Sequence, residues 1–240
     1  MPTGFAGRRT SDNSGPLFAI EILSRQDMGM KQDYIYLEEY LPEKTTHEIA
    51  SCIGQTVSFS GISDIQRLCP QKACDSNPNT YSGIFGTGEF PLHTDLAHYM
   101  LPPHYLLIRC IKPGTDVQTG IISFRNAITG ISRNDLQRAR FRSRRRVHKR
   151  YNLVQFLKTV DYDSQYRWDQ LFLIPDNQAA ANVSETLSSL KTSDSDLISL
   201  KGFSDVLIID NWKSLHCRTS VPDSAMDRIL ERVYLSEVNI

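Results

Sequence analysis

Phe90-Pro91-Leu92-His93-Thr94-Asp95 is the stretch on which the reading of this chain turns. Gly86-Thr87-Gly88-Glu89 leads into it, and Leu101-Pro102-Pro103 follows before the next apolar run. Glycine and proline on both sides mark it as a short extended segment. In a strand, residues i and i+2 point to one face, so His93 and Asp95 would present an imidazole and a carboxylate in one direction. In a chain with six histidines, one His-x-Asp is weak by itself. Its weight comes from a distant second stretch, Asp210-Asn211-Trp212-Lys213-Ser214-Leu215-His216, in which His216 can supply a third donor from a later strand. Two imidazoles and one carboxylate on one side of an ion suit Fe(II) and leave positions open for reactants. Beyond His216 lie Arg228 and Arg232, which would suit a dicarboxylate.

Length and composition are compatible with this reading. The chain has 240 residues, enough for one well-buried core, and its 27 Lys and Arg balance 27 Asp and Glu. No global field steers it toward nucleic acid or membrane. The five cysteines, Cys52, Cys69, Cys74, Cys110 and Cys217, match neither zinc spacing nor Cys-x-x-Cys, which predicts free thiols in a reducing, cytoplasmic setting. No apolar run approaches bilayer-spanning length, and Met1 to Pro16 reads as a loose polar arm rather than a signal or anchor. The rest, residues 17–240, reads as one domain.

Working outward, Leu17 to Leu23 reads as a strand and Lys44 to Ile53 as a short amphipathic helix, with Pro42 placed early where its missing N–H costs nothing. Cys69 to Tyr81, rich in proline, asparagine and aspartate, reads as a loop. Strands are expected at Tyr81 to Phe85, Pro91 to Leu96, Tyr105 to Ile111, Thr119 to Phe124, Arg167 to Ile174, Asp205 to Asp210, Ser214 to Thr219 and Ile229 to Val238. Ser132 is set to cap a helix over Arg133 to Arg140, and Asp176 one over Asp176 to Leu190. Many short strands with a few peripheral helices predict a mainly β, cupin-like jelly roll, not an open α/β sheet.

The His93-Thr94-Asp95 context, the Asp210-Asn211-Trp212 run before His216 and the Arg228-x-x-x-Arg232 spacing together resemble the taurine dioxygenase and clavaminate synthase-like oxygenases. The resemblance covers roughly Tyr81 to Leu235. It implies a double-stranded β-helix holding Fe(II) through His93, Asp95 and His216, with 2-oxoglutarate and O2 as co-substrates. It assigns the far carboxylate of 2-oxoglutarate to Arg228, helped by the Thr119 hydroxyl. Arg232 would serve the near carboxylate or an anionic substrate. The plain reading of Arg228 is instead a surface residue paired with Asp227 or Glu231, and that of Thr119 an ordinary strand threonine. Asp95 is the carboxylate that related halogenases lose, so its presence implies hydroxylation, or a desaturation or ring closure derived from it. Cys217 stands where members often have glycine. Residues ahead of the metal motif often face substrate in such proteins, which offers Tyr81, Phe85 and Glu89, with core packing as the plain alternative for the aromatics. Arg167-Trp168-Asp169 is a further candidate wall, equally readable as structural.

From Arg138 to Arg150, eight of thirteen residues are Lys or Arg. Three readings compete: a solvated face balanced by acids elsewhere, recognition of an anionic metabolite or acidic carrier protein, and nucleic-acid contact. Nucleic acid ranks last, because Phe141 alone is no stacking platform. The expected function is hydroxylation of a small polar, amino-acid-like or anionic metabolite with release of succinate and CO2. The alternatives are an oxygenase acting on a protein or nucleic acid, and a non-catalytic jelly-roll binding module. A homo-oligomer is compatible with all of them.

Overall fold

Alternation of apolar side chains organises the molecule. The computed structural model describes residues 33–114 and 116–240; the expected N-terminal arm and the Leu17 to Leu23 strand lie outside them. In chain order the strands are β1 (Tyr34–Leu37), β2 (Gly54–Thr56), β3 (Gln66–Leu68), β4 (Phe90–His93), β5 (Tyr105–Lys112), β6 (Thr119–Ser123), β7 (Arg140–Ser143), β8 (Leu153–Gln155), β9 (Leu157–Val160), β10 (Asp163–Tyr166), β11 (Leu173–Pro175), β12 (Asp196–Ile198), β13 (Val206–Asp210), β14 (Ser214–Arg218) and β15 (Ile229–Val238). The helices are α1 (Thr46–Ile53), α2 (Tyr81–Phe85), α3 (Phe124–Ala127), α4 (Arg133–Arg138) and α5 (Gln178–Ser189).

One large antiparallel sheet runs β1-β13-β5-β15-β2, with β3 also on β15, and a smaller one runs β12-β6-β14-β4. In β5, Leu106, Ile108 and Cys110 share an inner core with Leu207 and Ile209 of β13, Leu230 and Tyr234 of β15 and Ile121 of β6. The intervening residues Leu107, Val206, Ile208, Val233 and Leu235 cover the outer face and pack under Ile49, Ala50 and Ile53 of α1. The period-2 pattern therefore builds two apolar layers from one sheet. A third core, around Phe124, Phe141, Phe156 and Trp168, lies under α5 with Leu215 and Cys217 of β14. This is the mainly β jelly roll with peripheral helices that the strand count predicts.

The differences from expectation have local causes. Tyr81–Phe85 is a helical turn rather than a strand, because the Thr80 side chain accepts from Gly83 N and closes it. Within Arg167 to Ile174 only Leu173 begins a strand: Asp169 Oδ1 accepts from the Leu171 and Phe172 amides, an Asx turn that ends extension. The cap of α5 is Asn177, one residue later than expected, bonding Ala180 N. Helix α1 starts after Thr45, which forms a capping box with Glu48. The Cys69 to Tyr81 loop holds a 3-10 turn at Ala73–Asp75. Ser132 caps α4 as expected.

Candidate metal centre and its cavity

His93 ends β4 and His216 sits in the middle of β14, and the two are direct register partners on antiparallel neighbours. Their ring centroids lie 4.4 Å apart. Asp95 is not on the strand: β4 stops at His93, and Asp95 opens a turn. Its place is held instead by Asn211, in the turn between β13 and β14. The Asp95 amide donates to Asn211 Oδ1 at 2.7 Å, while Asn211 Nδ2 donates to the carbonyls of Asp95 (3.1 Å) and Pro103 (2.9 Å). The Asp-Asn-Trp run is thus a clasp, with the Trp212 indole donating to Pro102 O at 3.2 Å.

The three side chains converge. Asp95 Oδ1 lies 3.5 Å from His93 Nε2 and 3.3 Å from His216 Nε2. One donor atom from each fits within a 4.8 Å circle, and all three residues are buried. His93 Nδ1 is 2.8 Å from Pro91 O, which fixes that nitrogen as the N–H donor and turns Nε2 toward Asp95. The other carboxylate oxygen, Asp95 Oδ2, accepts from Arg232 Nη1 and, at 3.1 Å, from the Tyr234 hydroxyl.

Electrostatics ask for a cation here. Burial pushes the Asp95 carboxyl up, yet Arg232 and the two imidazoles outweigh it and hold it well below the ordinary value. Burial, with the His93 charge added, pulls His216 down to about 4. His93 goes the other way: burial opposes its charge, but Asp95 overcomes burial and raises it. Two imidazoles and an ionised carboxylate around one point are a donor set that fits Fe(II).

A cavity of about 700 Å³ opens on this centre, and Thr119, Arg228 and Arg232 all line it. Arg228 just precedes β15, which belongs to the large sheet, whereas β14 belongs to the small one. The chain between His216 and Arg228 therefore crosses from one wall to the other and is not a hairpin between neighbouring strands. The Arg228 backbone amide donates to Ala225 O at 3.1 Å, but its buried side chain forms no ion pair or hydrogen bond with any described residue, and its Nε is without a partner. Burial pushes its pKa down to about 10. The plain reading of a surface arginine paired with Asp227 is thereby corrected: Asp227 pairs with Lys112 at 2.6 Å. Gly114 backs Arg228, where a Cβ would come 3.0 Å from its Cδ. Arg232 is already engaged, with Nη1 on Asp95 and Nη2 on Gln66 Oε1 at 2.6 Å.

Of the three residues expected ahead of the metal motif, only Tyr81 lines the cavity, stacked on His93 with centroids 4.2 Å apart. Phe85 packs on Tyr81 and Phe90 behind it. Glu89 is not brought to the site: it precedes β4, is exposed, and accepts from the Thr192 hydroxyl at 3.3 Å. Asp169 does line the cavity, is 1% exposed, and burial pushes its carboxyl up to about 6. Sequence offered it only as part of a wall, since no spacing rule ties it to His93. His98, which had no sequence pattern, also lines the cavity; burial, then Arg145, lower it to about 4. Arg167 is fully buried and donates to the carbonyls of Ala97, Tyr99 and Met100, pinning the turn that follows Asp95.

No protein-family model matches the chain, and no curated protein matches its sequence. Solved structures do resemble it. An asparagine oxygenase in complex with Fe(II), (2S,3S)-3-hydroxyasparagine and succinate superposes with a TM-score of 0.58 at 17% identity, over 72% of this chain and 56% of that one. The non-haem iron oxygenase OrfP, in complex with Fe, succinate and (3S)-hydroxy-L-Arg, gives 0.56 at 21% identity, over 72% and 57%. PvcB, an Fe, α-ketoglutarate-dependent oxygenase from an isonitrile synthetic pathway, gives 0.50 at 17%, over 76% and 66%. The chain spans just over half the length of the first two. It shares their jelly-roll fold.

Proposed function

We propose that this protein is an Fe(II)- and 2-oxoglutarate-dependent oxygenase that hydroxylates an amino-acid-like small molecule. The observation that carries the reading is the convergence of His93, Asp95 and His216 within 4.8 Å, together with an unpaired buried Arg228 in the same cavity. In the overall reaction a substrate C–H, 2-oxoglutarate and O2 become a C–OH, succinate and CO2. Iron, when bound, supplies the activation of dioxygen.

The chain's own residues supply placement and charge. His93, Asp95 and His216 would hold the metal from one side. Arg228 would take the far carboxylate of 2-oxoglutarate, since a buried guanidinium without a carboxylate partner is an anion site in waiting. The Thr119 hydroxyl, lining the same cavity, would add a hydrogen bond. Arg232 would keep Asp95 ionised and aimed through Oδ2, leaving Oδ1 for the ion. Asp169 would receive a cationic or N–H-bearing group of the substrate, because such a partner restores the charge that burial suppresses. An amino-acid-like substrate accords with the hydroxyasparagine and hydroxyarginine held by the similar structures.

The test is anaerobic loading with Fe(II), then addition of 2-oxoglutarate and air across a panel of L-amino acids, with succinate counted and products weighed for one added oxygen. One iron per chain, lost on His216→Ala, and 2-oxoglutarate-dependent succinate are expected. A protein that binds no iron and forms no succinate would end this reading.

A further inference from the structure

None of the eight cations in the basic strip from Arg138 to Arg150 pairs with a described carboxylate. Two of them, Arg145 and Arg146, line the cavity. The cavity itself is lopsided in charge: six arginines line it against two carboxylates, Asp95 and Asp169. Fe(II) and the 2-oxoglutarate dianion would cancel one another, so the excess of four positive charges would persist in the loaded site. Most of these arginines are accounted for. Arg232 holds Asp95, and Arg228 is assigned to the far carboxylate of 2-oxoglutarate. Arg218 lies 3.6 Å over the Phe90 ring, and its Nη2 donates to the carbonyls of Gly86 (3.0 Å) and Gly88 (2.6 Å). Arg67 and Arg146 are exposed, where water and salt screen them. Arg145 remains: half-buried, in the cavity wall, and without an acid.

Two separate elements fix its guanidinium. Strand β7 pairs with β11 through Ser143 and Leu173, and the Arg144 amide donates to Phe172 O at 2.8 Å, which sets Arg145 beside the Asp169–Phe172 turn. There its guanidinium carbon stands 5.4 Å from the centre of the Phe172 ring. Its Nη1 also donates to Asn79 O at 2.6 Å, in the loop ahead of α2. Nε and Nη2 bond no described residue, and that edge is the one that grips an oxyanion with two parallel hydrogen bonds. A guanidinium already held by a ring and a carbonyl loses little freedom on taking a ligand.

His98 adds a donor. Its ring packs 5.0 Å from the same Phe172, its carbonyl accepts from Asn152 Nδ2 at 2.9 Å, and its Nδ1 is buried without a partner. Burial and then Arg145 keep the imidazole uncharged at neutral pH, so Nδ1 can carry the ring's hydrogen toward an anion. A buried polar atom left unpaired costs stability, and a ligand relieves it. On the same turn, Asp169 Oδ1 accepts from the Phe172 amide at 2.9 Å. A carboxylate and a guanidinium thus share one aromatic residue as their support, opposite charges set out for a zwitterion.

We propose that the Nε–Nη2 edge of Arg145, with His98 Nδ1 beside it, receives an acidic side chain of the substrate, whose ammonium group meets Asp169. The substrate class is then an amino acid whose side chain ends in a carboxylate, not a neutral or basic one. This deepens the oxygenase reading and rests on it for the reaction. A terminal amide presents a single oxygen without charge to the fork, and a guanidinium would be repelled by it.

The experiment compares isosteric pairs, L-glutamate with L-glutamine and L-aspartate with L-asparagine, and adds L-arginine. Succinate release and the mass of the hydroxylated product measure turnover. For the better acid, kcat/KM should exceed that of its own amide by about ten- to 100-fold, the worth of one or two charge-assisted hydrogen bonds. L-Arginine should be poorer than either. Arg145→Gln should bring the acid-to-amide ratio close to one, and Arg145→Lys, which keeps the charge and loses the fork, should give an intermediate ratio. Arg142→Gln removes a cation of the same strip that faces outward from β7 and should keep the full ratio. Should Arg145→Gln fold poorly, Arg145→Lys carries the comparison. The same pairs titrated calorimetrically into the anaerobic protein with Fe(II) and 2-oxoglutarate give the ratio of dissociation constants without turnover. The proposal is overturned if neither acid is used or bound better than its amide, if L-arginine is preferred, or if the ratio survives Arg145→Gln. It is equally overturned if Arg145→Gln weakens acid and amide alike, the mark of a residue that only holds the Asn79 loop, or if Arg142→Gln also abolishes the ratio. Absence of succinate under every condition would remove the oxygenase reading instead, and the ratio of dissociation constants would still decide the acid subsite.

Discussion

Asp169→Asn should stabilise the metal-free protein at neutral pH, and the amount follows from where the carboxyl sits. It is 1% exposed, and burial raises its pKa from 3.8 to about 6. Below pH 4 both folded and unfolded chains hold the proton and nothing is lost. Between about 4 and 6 the folded chain keeps a proton that the unfolded chain has released, so stability falls as pH rises; above 6 the whole penalty stands. Two units at 1.36 kcal/mol each make about 3 kcal/mol. Asparagine keeps the oxygen that accepts from the Leu171 and Phe172 amides, at 2.7 and 2.9 Å, and so preserves the turn without the charge. Urea melts of both proteins from pH 4 to 8, with chelator present because a divalent ion near His93 would draw the carboxyl back down, measure the difference. The variant should gain about 3 kcal/mol at pH 8, or roughly 6–12 °C in Tm for a domain of this size, and the gap should close toward pH 4. A gap that does not vary with pH, or a wild type that is the more stable at pH 8, would refute the reasoning.

Three further outcomes are expected. Arg228→Gln should raise the KM for 2-oxoglutarate about 100-fold or more, because one or two charge-assisted hydrogen bonds are worth about 3 kcal/mol; succinate release against 2-oxoglutarate concentration measures it. Asn211→Ala orphans the Asp95 amide and the carbonyls of Asp95 and Pro103, so about 3–5 kcal/mol of stability should go, with weaker iron binding, read by thermal melts and metal titration. Gly120→Ala would push a methyl into Ser195 and Cys217 across the small sheet, costing about 1–3 kcal/mol in a denaturant melt.

What the sequence revealed tracks where local pattern and tertiary role coincide. Strands β5, β13 and β15 announce themselves because their alternating residues face two different cores, as do Ile121 and Ile122 of β6, while in β14 Leu215 and Cys217 face one core and His216 the cavity. His93 and His216 were legible for a related reason: each belongs to a strand and obeys its period. Asp95 was placed correctly by the wrong argument, since what aims it is an amide contributed from 116 residues away. The aromatic run Tyr81 to Phe85 fits a strand template equally well, and only the Thr80 hydroxyl decides for a helical turn. Asp169 and Arg167 left almost no trace in the sequence, because burial without a partner at fixed spacing has no one-dimensional signature. The basic strip was plain in the sequence. What could not be read there is that nothing in the described chain neutralises it.

The proposed metal ligands His93 and His216 hang from the small sheet, Arg228 enters from the large one, and Leu106, Ile108, Ile121 and Leu230 pack in the layer between the sheets. Under the proposed chemistry the hydrocarbon thickness of the sandwich then acts as a caliper on the diacid. A homologue one methylene longer or shorter would be refused by the distance between the wall that carries Arg228 and the wall that carries the two histidines. Leu106, Ile108 and Leu230 also line the cavity, so trimming them would alter the tolerance for shorter and longer keto diacids.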